Sequence, residues 1–185
     1  MPKVLIVIAH PNLEGKSFAT KAIIDNVKKL NPETEFDDLY QLYPDYKIDV
    51  KKEQEKLLKA DVVILQYPMY WYNTPSLLRK WFEDVLEHGF AYGSKGVALK
   101  DKRLILSFTV GAPLEAYKQG GSQNITLDDL TKGFNQLANL CRMKYEGYVA
   151  TGGLTFFIKD KEEEHRIMIG KLEEHAKKLI EKANE

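Results

Sequence analysis

The sequence predicts a doubly wound α/β layer fold. Three observations carry this. Five short strand-like runs alternate with five helix-like stretches along the 185 residues. The strongest strands, Lys3 to Ala9 and Val62 to Leu65, are near-continuously apolar, as parallel strands covered on both faces should be. No linker or internal repeat divides the chain, so one domain over residues 1–185 is expected, long enough for a sizeable core.

Each element follows from local chemistry. Lys3 to Ala9 reads as a central strand, followed by a loop from His10 to Lys16. Ser17 suits the N-cap of a helix running to about Leu30, with Ala19, Ile23, Ile24 and Val27 near one face, and Asn31 and Pro32 stop it. Thr34 to Leu39 is a modest strand, and Asp37 and Asp38 push it to the periphery. Tyr40 to Asp49 lacks periodicity and reads as a loop, and Lys51 to Lys59 as a short charged helix. The third strand stops near Pro68, which cannot donate a ladder bond. A helix from Pro75 to Glu87 places Leu77, Leu78, Trp81, Phe82 and Val85 on one stripe, with Gly89 ending it. Lys102 to Thr109 is the fourth strand, Leu127 to Asn139 a helix, and Lys144 to Ala150 the fifth strand. Lys161 to Ala183 is a last amphipathic helix, with Met168, Leu172, Ala176, Leu179 and Ile180 inward. Crossovers should be right-handed, but the pattern alone leaves the strand order open.

Composition excludes several classes. Lys plus Arg and Asp plus Glu both count 27, so no basic nucleic-acid surface is expected. The single Cys141 rules out an internal disulfide and fits a reducing compartment. The opening run MPKVLIVIAHP is too short for a secretory segment, and no stretch approaches the roughly 18 apolar residues of a membrane span. A cytoplasmic protein is expected. No Cys or His cluster has metal-ligand spacing, so no metal is expected. His165 and His175 lie in the charged last helix and read as solvated.

Chemistry should gather at the carboxyl ends of the strands, where open α/β sheets bind ligands. The first loop has neither a GxGxxG nor a Walker pattern. A strand, a loop and a Ser at a helix start still suit an anion, because first-turn amides lack intrahelical acceptors and the dipole adds positive character. Ser17 can add a hydroxyl and His10 an imidazole donor; equally, Ser17 can simply cap its helix and His10 can bond the backbone. Met69, Tyr70, Trp71 and Tyr72 follow Pro68, a dense aromatic loop that suits a flat partner, or else caps the sheet or packs a dimer. Gly111 permits close backbone approach. With Thr109 and Tyr117 at the same edge, the sum points to an aromatic cofactor with a phosphate tail, which FMN fits.

Four places carry a family resemblance: His10 and Pro11 with Ser17 and Phe18; Gln66 to Tyr72 with Pro75 and Trp81 to Glu83; Gly89 to Tyr92; and Thr109 to Gly111 with Tyr117. Over nearly its whole length the chain resembles the flavodoxin-like NAD(P)H:quinone oxidoreductases. These include the DT-diaphorase type and short bacterial members similar to the ancillary oxidoreductase of glutathione-gated potassium efflux systems. The resemblance implies a three-layer sandwich with a five-stranded parallel sheet of order 2-1-3-4-5 and helices on both faces. It implies that His10, Ser17 and Phe18 hold the flavin phosphate. Pro68, Met69, Tyr70 and Trp71 would support the isoalloxazine, with Tyr72 beside it, and Thr109, Val110 and Gly111 would reach its polar edge. Tyr117 would assist hydride transfer, and Tyr92 would reach the partner subunit's pocket in a homodimer.

Two departures matter. Gln123 stands where the mammalian type has a histidine, and an amide can donate a hydrogen bond but cannot titrate near neutrality. Ser94 stands where a second gating tyrosine is expected. The absence of the mammalian C-terminal extension favours FMN over FAD. The implied activity is two-electron, ping-pong reduction of quinones or similar flat acceptors by NAD(P)H. A regulatory alternative has the protein ride on a membrane transporter, with Tyr40 to Tyr46 as the candidate surface if it is not simply a packed loop. A one-electron carrier is disfavoured, since such proteins are strongly acidic and steer partners by charge.

Overall fold

Five parallel strands form one sheet in the order β2-β1-β3-β4-β5, as the resemblance implies. In the computed structural model, which describes residues 1–15, 17–154 and 162–185, β1 (Val4–Ile8), β3 (Val62–Pro68) and β4 (Arg103–Thr109) take the middle, and β2 (Glu35–Asp38) and β5 (Lys144–Thr151) take the edges. The three central strands are buried almost throughout, which is why their sequences lack alternation. Register aligns Ile8, Gln66 and Ser107 across the middle, and Pro68, Thr109 and Thr151 one layer nearer the carboxyl end.

Six helices flank the sheet among the described residues: α1 (Ala19–Leu30), α2 (Leu39–Leu42), α3 (Val50–Lys59), α4 (Ser76–Val85), α5 (Leu127–Leu140) and α6 (Glu162–Asn184). Successive strand side chains point to opposite faces. Val4, Ile6, Ile8, Ile64 and Ile105 therefore pack against Ile23 and Val27 of α1 and Leu172 and Leu179 of α6. Leu5, Val7, Leu65 and Leu106 face the other layer, with Leu57, Leu77, Trp81 and Ala138. In β5, Gly147 adopts φ 77° at a register shift opposite Leu104 and Leu106, the backbone of a β-bulge at the sheet edge. At the amino end of the sheet, Arg103 forks onto Glu146 at 2.8 and 2.9 Å and donates to the Lys182 and Ala183 carbonyls, tying down the last turn of α6. No helix among the described residues is long and apolar enough to cross a membrane.

Several boundaries differ from expectation, each for a local reason. Ser17 does not cap α1; Phe18 holds the N-cap position with helical angles, and no side chain caps that end. Asp38, read as an interruption of the second strand, accepts from the Tyr40 and Gln41 amides and starts α2 inside the expected loop. Helix α4 ends at Val85, before the Gly89 turn, and β5 extends to Thr151. The expected start of the last helix, Lys161, lies outside the described residues.

The three tyrosines of the Tyr40 to Tyr46 segment are engaged through their hydroxyls, while Gln41, Leu42, Pro44 and Asp45 between them are exposed. The Leu77 amide donates to the Tyr40 hydroxyl at 3.3 Å, and the Tyr46 hydroxyl sits 2.8 Å from Ser76 Oγ at the start of α4. Tyr43 donates to Glu53 at 2.7 Å, and Glu53 also accepts from Trp81 Nε1 and Lys56. Lys56 reaches Asp37 as well, closing a buried charged cluster. Burial, then the neighbouring Glu53, push the Asp37 carboxyl up to about 7.

Candidate functional site

The expected site loops meet because backbone bonds stitch them together at the carboxyl ends of the strands. Ala9 N–H donates to the Gln66 carbonyl, and Met69 N–H to the Thr109 carbonyl, each at 2.9 Å. The loops after β1, β3 and β4 therefore open at one edge.

On the first loop, His10 is 8% exposed. Its Nδ1 accepts from Asn12 N–H at 3.1 Å, so a neutral ring carries its proton on Nε2. Burial holds its pKa below the usual histidine value and keeps that form. The ring meets Tyr70 edge-on, with centroids 6.4 Å apart. Ser17 N–H donates to the Asn12 carbonyl at 3.2 Å, whereas its buried hydroxyl has no partner among the described residues. A buried hydroxyl without a partner beside a helix start that no side chain caps is an arrangement an anion would complete. Phe18 packs on His165 of α6 with ring centroids 4.7 Å apart, so His165 is half-buried rather than solvated.

The second loop is a tight hairpin. Tyr70 and Asn73 bond each other's backbones, with Trp71 and Tyr72 between them in the left-handed region. Pro68 is buried as the last residue of β3 and Met69 is half-buried. Trp71 is 94% exposed, so the hairpin presents it outward rather than into the core.

On the third loop, Val110 N–H is taken by the Thr151 carbonyl at 2.9 Å and the Thr109 carbonyl by Met69. The backbone turned outward therefore narrows to Gly111, where a Cβ would meet nothing within 4 Å. Tyr117 follows a single 3₁₀ turn, Leu114–Ala116. Burial, then Tyr72, raise its pKa, while the Ala112 amide beside its hydroxyl works the other way. Tyr72 donates to Gln123 Oε1 at 3.2 Å, and Gln123 N–H returns to the Ala116 carbonyl at 3.3 Å. Tyr117, Tyr72, Gln123 and the Gly111 loop thus form one group.

Tyr92 stands apart. Its carbonyl accepts from Gly89 and its ring lies edge-on to His88 at 5.4 Å, with no bond or ring contact to the other candidates among the described residues.

The second histidine of α6 also departs from the sequence reading. His175 is 2% exposed, not solvated. Its Nε2 lies 2.8 Å from Ser107 Oγ and its Nδ1 2.8 Å from Thr151 Oγ1, and Ser107 donates on to Gln66 Oε1. Gln66, Ser107, Thr151 and His175 thus form a buried hydrogen-bonded group that the sequence reading does not bring together. The signal was present: position 175 shares the inward stripe of Leu172, Ala176 and Leu179. Among the described residues no group of His, Cys, Asp or Glu could hold a metal ion.

Known proteins resemble this chain in sequence and in fold. The uncharacterized NAD(P)H oxidoreductase YrkL of Bacillus subtilis is 42% identical over 143 residues, 77% of this chain and 81% of its own. The glutathione-regulated potassium-efflux system ancillary protein KefG of Pectobacterium atrosepticum is 37% identical over 144 residues, 78% of each chain. Among solved structures, general stress protein 14 of Treponema denticola in complex with FMN superposes with a TM-score of 0.79 at 33% identity, covering 94% of this chain and 99% of that one. An NADPH-quinone reductase from P. pentosaceus gives 0.77 at 26% identity, covering 94% and 97%. Residues 2–176 match the family described as Flavodoxin-like fold, and with the strand order and these relatives the chain belongs to that family.

Proposed function

We propose that this chain is a flavin-dependent NAD(P)H oxidoreductase that holds FMN across the carboxyl ends of β1, β3 and β4 and reduces quinones or similar flat acceptors. One juxtaposition carries the reading: a Ser17 hydroxyl buried without a partner among the described residues, beside the uncapped start of α1, lies at the same sheet edge as an exposed aromatic hairpin and an open Gly111. A phosphate would satisfy the first and a flat ring the other two. The FMN-bound relative and the NAD(P)H oxidoreductase relative support both halves.

When bound, the isoalloxazine supplies the two-electron chemistry, accepting a hydride from NAD(P)H and passing reducing equivalents to the acceptor. The chain binds, orients and excludes water. His10 Nε2–H, Ser17 and the Phe18 amide would hold the phosphate. Pro68, Met69, Tyr70 and Trp71 would line the ring, with Tyr72 at its border, and Thr109, Val110 and Gly111 would lie along its polar edge. Within that last group Gly111 is the donor, since the Val110 amide is already used. Tyr117 would offer its hydroxyl proton to charge developing at the ring, and burial keeps that proton on. Gln123 would anchor Tyr72 rather than act as an acid.

Donor and acceptor would use the same open face in turn, a ping-pong scheme. FMN rather than FAD, a homodimer in which Tyr92 completes the partner's pocket, a single-domain chain and a cytoplasmic location belong to the same reading. Anaerobic mixing of the flavin-loaded protein with NADH and NADPH in turn, followed by a quinone panel, tests it. Bleaching of the flavin by one nicotinamide and re-oxidation by quinone are expected; no bleaching by either removes the activity.

A second reading, an ancillary subunit of a potassium-efflux transporter, is favoured by the KefG relative. In the Tyr40 to Tyr46 segment the three tyrosine hydroxyls are engaged with α4 and Glu53, while Leu42 and part of Tyr46 stay exposed, so a partner there would meet those apolar surfaces. Co-purification with a transporter domain tests this reading.

A further inference from the structure

Four side chains form a buried hydrogen-bonded chain under the site, running from β3 through β4 and α6 to β5. Gln66 Oε1 can only accept, so Ser107 Oγ donates to it. Ser107 has then spent its one proton and must accept from His175, which places the ring proton on Nε2. His175 Nδ1 is left as the acceptor for the Thr151 hydroxyl. Burial keeps the ring neutral near neutral pH, and in that form the Thr151 hydroxyl donates to Nδ1 while Nε2 donates to Ser107.

The chain's ends coincide with the cofactor loops. Gln66 is two residues before Pro68, and Ser107 two before Thr109, one layer beneath them on the same face. Thr151 pairs with Thr109, and its carbonyl takes the Val110 amide. Beyond it, Gly153 N–H donates to the Ala112 carbonyl, and a Cβ on Gly152 would lie 2.7 Å from that same oxygen. The Thr109 to Ala112 backbone is thus held against the end of β5, and the end of β5 is held by His175.

We propose that His175 is a positioning residue for the cofactor: by bridging Ser107 and Thr151 it sets where the Thr109 to Gly111 loop meets the flavin ring. This rests on the flavin reading above. His175 does not touch the ring; it acts through Thr151 and Val110. Because that loop faces the ring and not the phosphate tail, loss of His175 weakens FMN and riboflavin by the same factor. A residue with a purely structural role would lower thermal stability and leave the flavin dissociation constant of the folded protein unchanged.

The test titrates folded apoprotein with FMN and with riboflavin, following flavin fluorescence and the visible absorption bands, for His175→Phe, Thr151→Val and His175→Gln. The phenylalanine variant should bind both flavins roughly tenfold more weakly, the scale of one buried hydrogen bond lost, with shifted absorption bands. The near-isosteric valine variant should move in the same direction, and it keeps the test decisive if the phenylalanine variant does not fold. Glutamine, which can donate and accept, should restore most of the affinity. Valine and glutamine variants with wild-type dissociation constants and spectra, beside a wild type that binds FMN, would overturn the positioning role alone. A wild type that binds no flavin would overturn it together with the cofactor reading.

Discussion

Tyr70 and Asn73 exchange both of their backbone hydrogen bonds, 2.9 Å in each direction, and so close a two-residue hairpin. The residues between them, Trp71 and Tyr72, sit at φ 50° and 62°. A turn with both central residues left-handed is normally built from Asn and Gly, because a Cβ there crowds the following carbonyl at about 1 kcal/mol or more per residue. The aromatic rings are therefore presented at a cost in stability. The double variant Trp71→Asn, Tyr72→Gly should raise the unfolding free energy of the apoprotein by about 1–2 kcal/mol. The same variant should bind FMN more weakly. Thermal melts of the apoprotein paired with flavin titration check both; a variant no more stable than wild type would show that the hairpin is not strained.

Ser17 makes a complementary case. Among the described residues its hydroxyl is buried without a partner, which costs stability until an acceptor or donor arrives. Ser17→Ala should leave the apoprotein as stable as wild type or more so, while FMN affinity falls roughly tenfold. Riboflavin, which lacks the phosphate, should bind the two proteins equally. Equal losses for both flavins would move the phosphate away from the start of α1.

Two buried groups titrate in opposite senses. Burial, then Glu53, raise Asp37 to about 7 from 3.8, so the folded chain holds a proton that the unfolded chain releases. Stability from this group falls as pH rises through that window. Burial, then Lys178, lower His175 to about 4 from 6.5, so here the unfolded chain takes the extra proton. Stability from His175 rises with pH between those values. Each slope is at most about 1.4 kcal/mol per pH unit, and between about pH 4.5 and 6.5 they oppose each other. Asp37→Asn should expose a stability that climbs with pH, and His175→Phe one that declines. Urea melts across this range read both slopes, and parallel profiles for the two variants would contradict the assignment.

Tyr117 and Gln123 separate proton supply from positioning. Tyr117→Phe removes only a hydroxyl, so flavin affinity should hold while reduction by NAD(P)H slows by about 100-fold, the lower end of general-acid contributions. Gln123→Ala frees Tyr72 by removing the 3.2 Å bond and should mainly raise the KM for the acceptor. Stopped-flow reduction and steady-state kinetics distinguish them. An unchanged reduction rate in the phenylalanine variant takes Tyr117 out of the mechanism.

How much of this was legible depends on whether a residue's fate is decided locally. β1 and β3 are readable because double-sided burial writes itself as an unbroken apolar run. The stripe of α4 is readable from the spacing of Leu77, Leu78, Trp81 and Val85. The convergence of His10, the Pro68 to Tyr72 segment and the Gly111 loop follows from parallel topology, which puts successive loops at one edge. Ser17 was misread as a cap because capping depends on backbone angles at Phe18 that residue identity does not reveal. His175 was misread because α6 is charged on average, whereas burial is decided by position on the helix face. Asp38 carried a real cap signal inside what looked like a weakened strand.

The most direct measurement is the flavin content of the purified protein, with FMN titration of the stripped apoprotein. The site described here predicts a yellow protein that releases FMN on denaturation and rebinds one FMN per chain at micromolar concentration or below. Protein that is colourless as isolated and takes up neither FMN nor FAD at micromolar levels would contradict it.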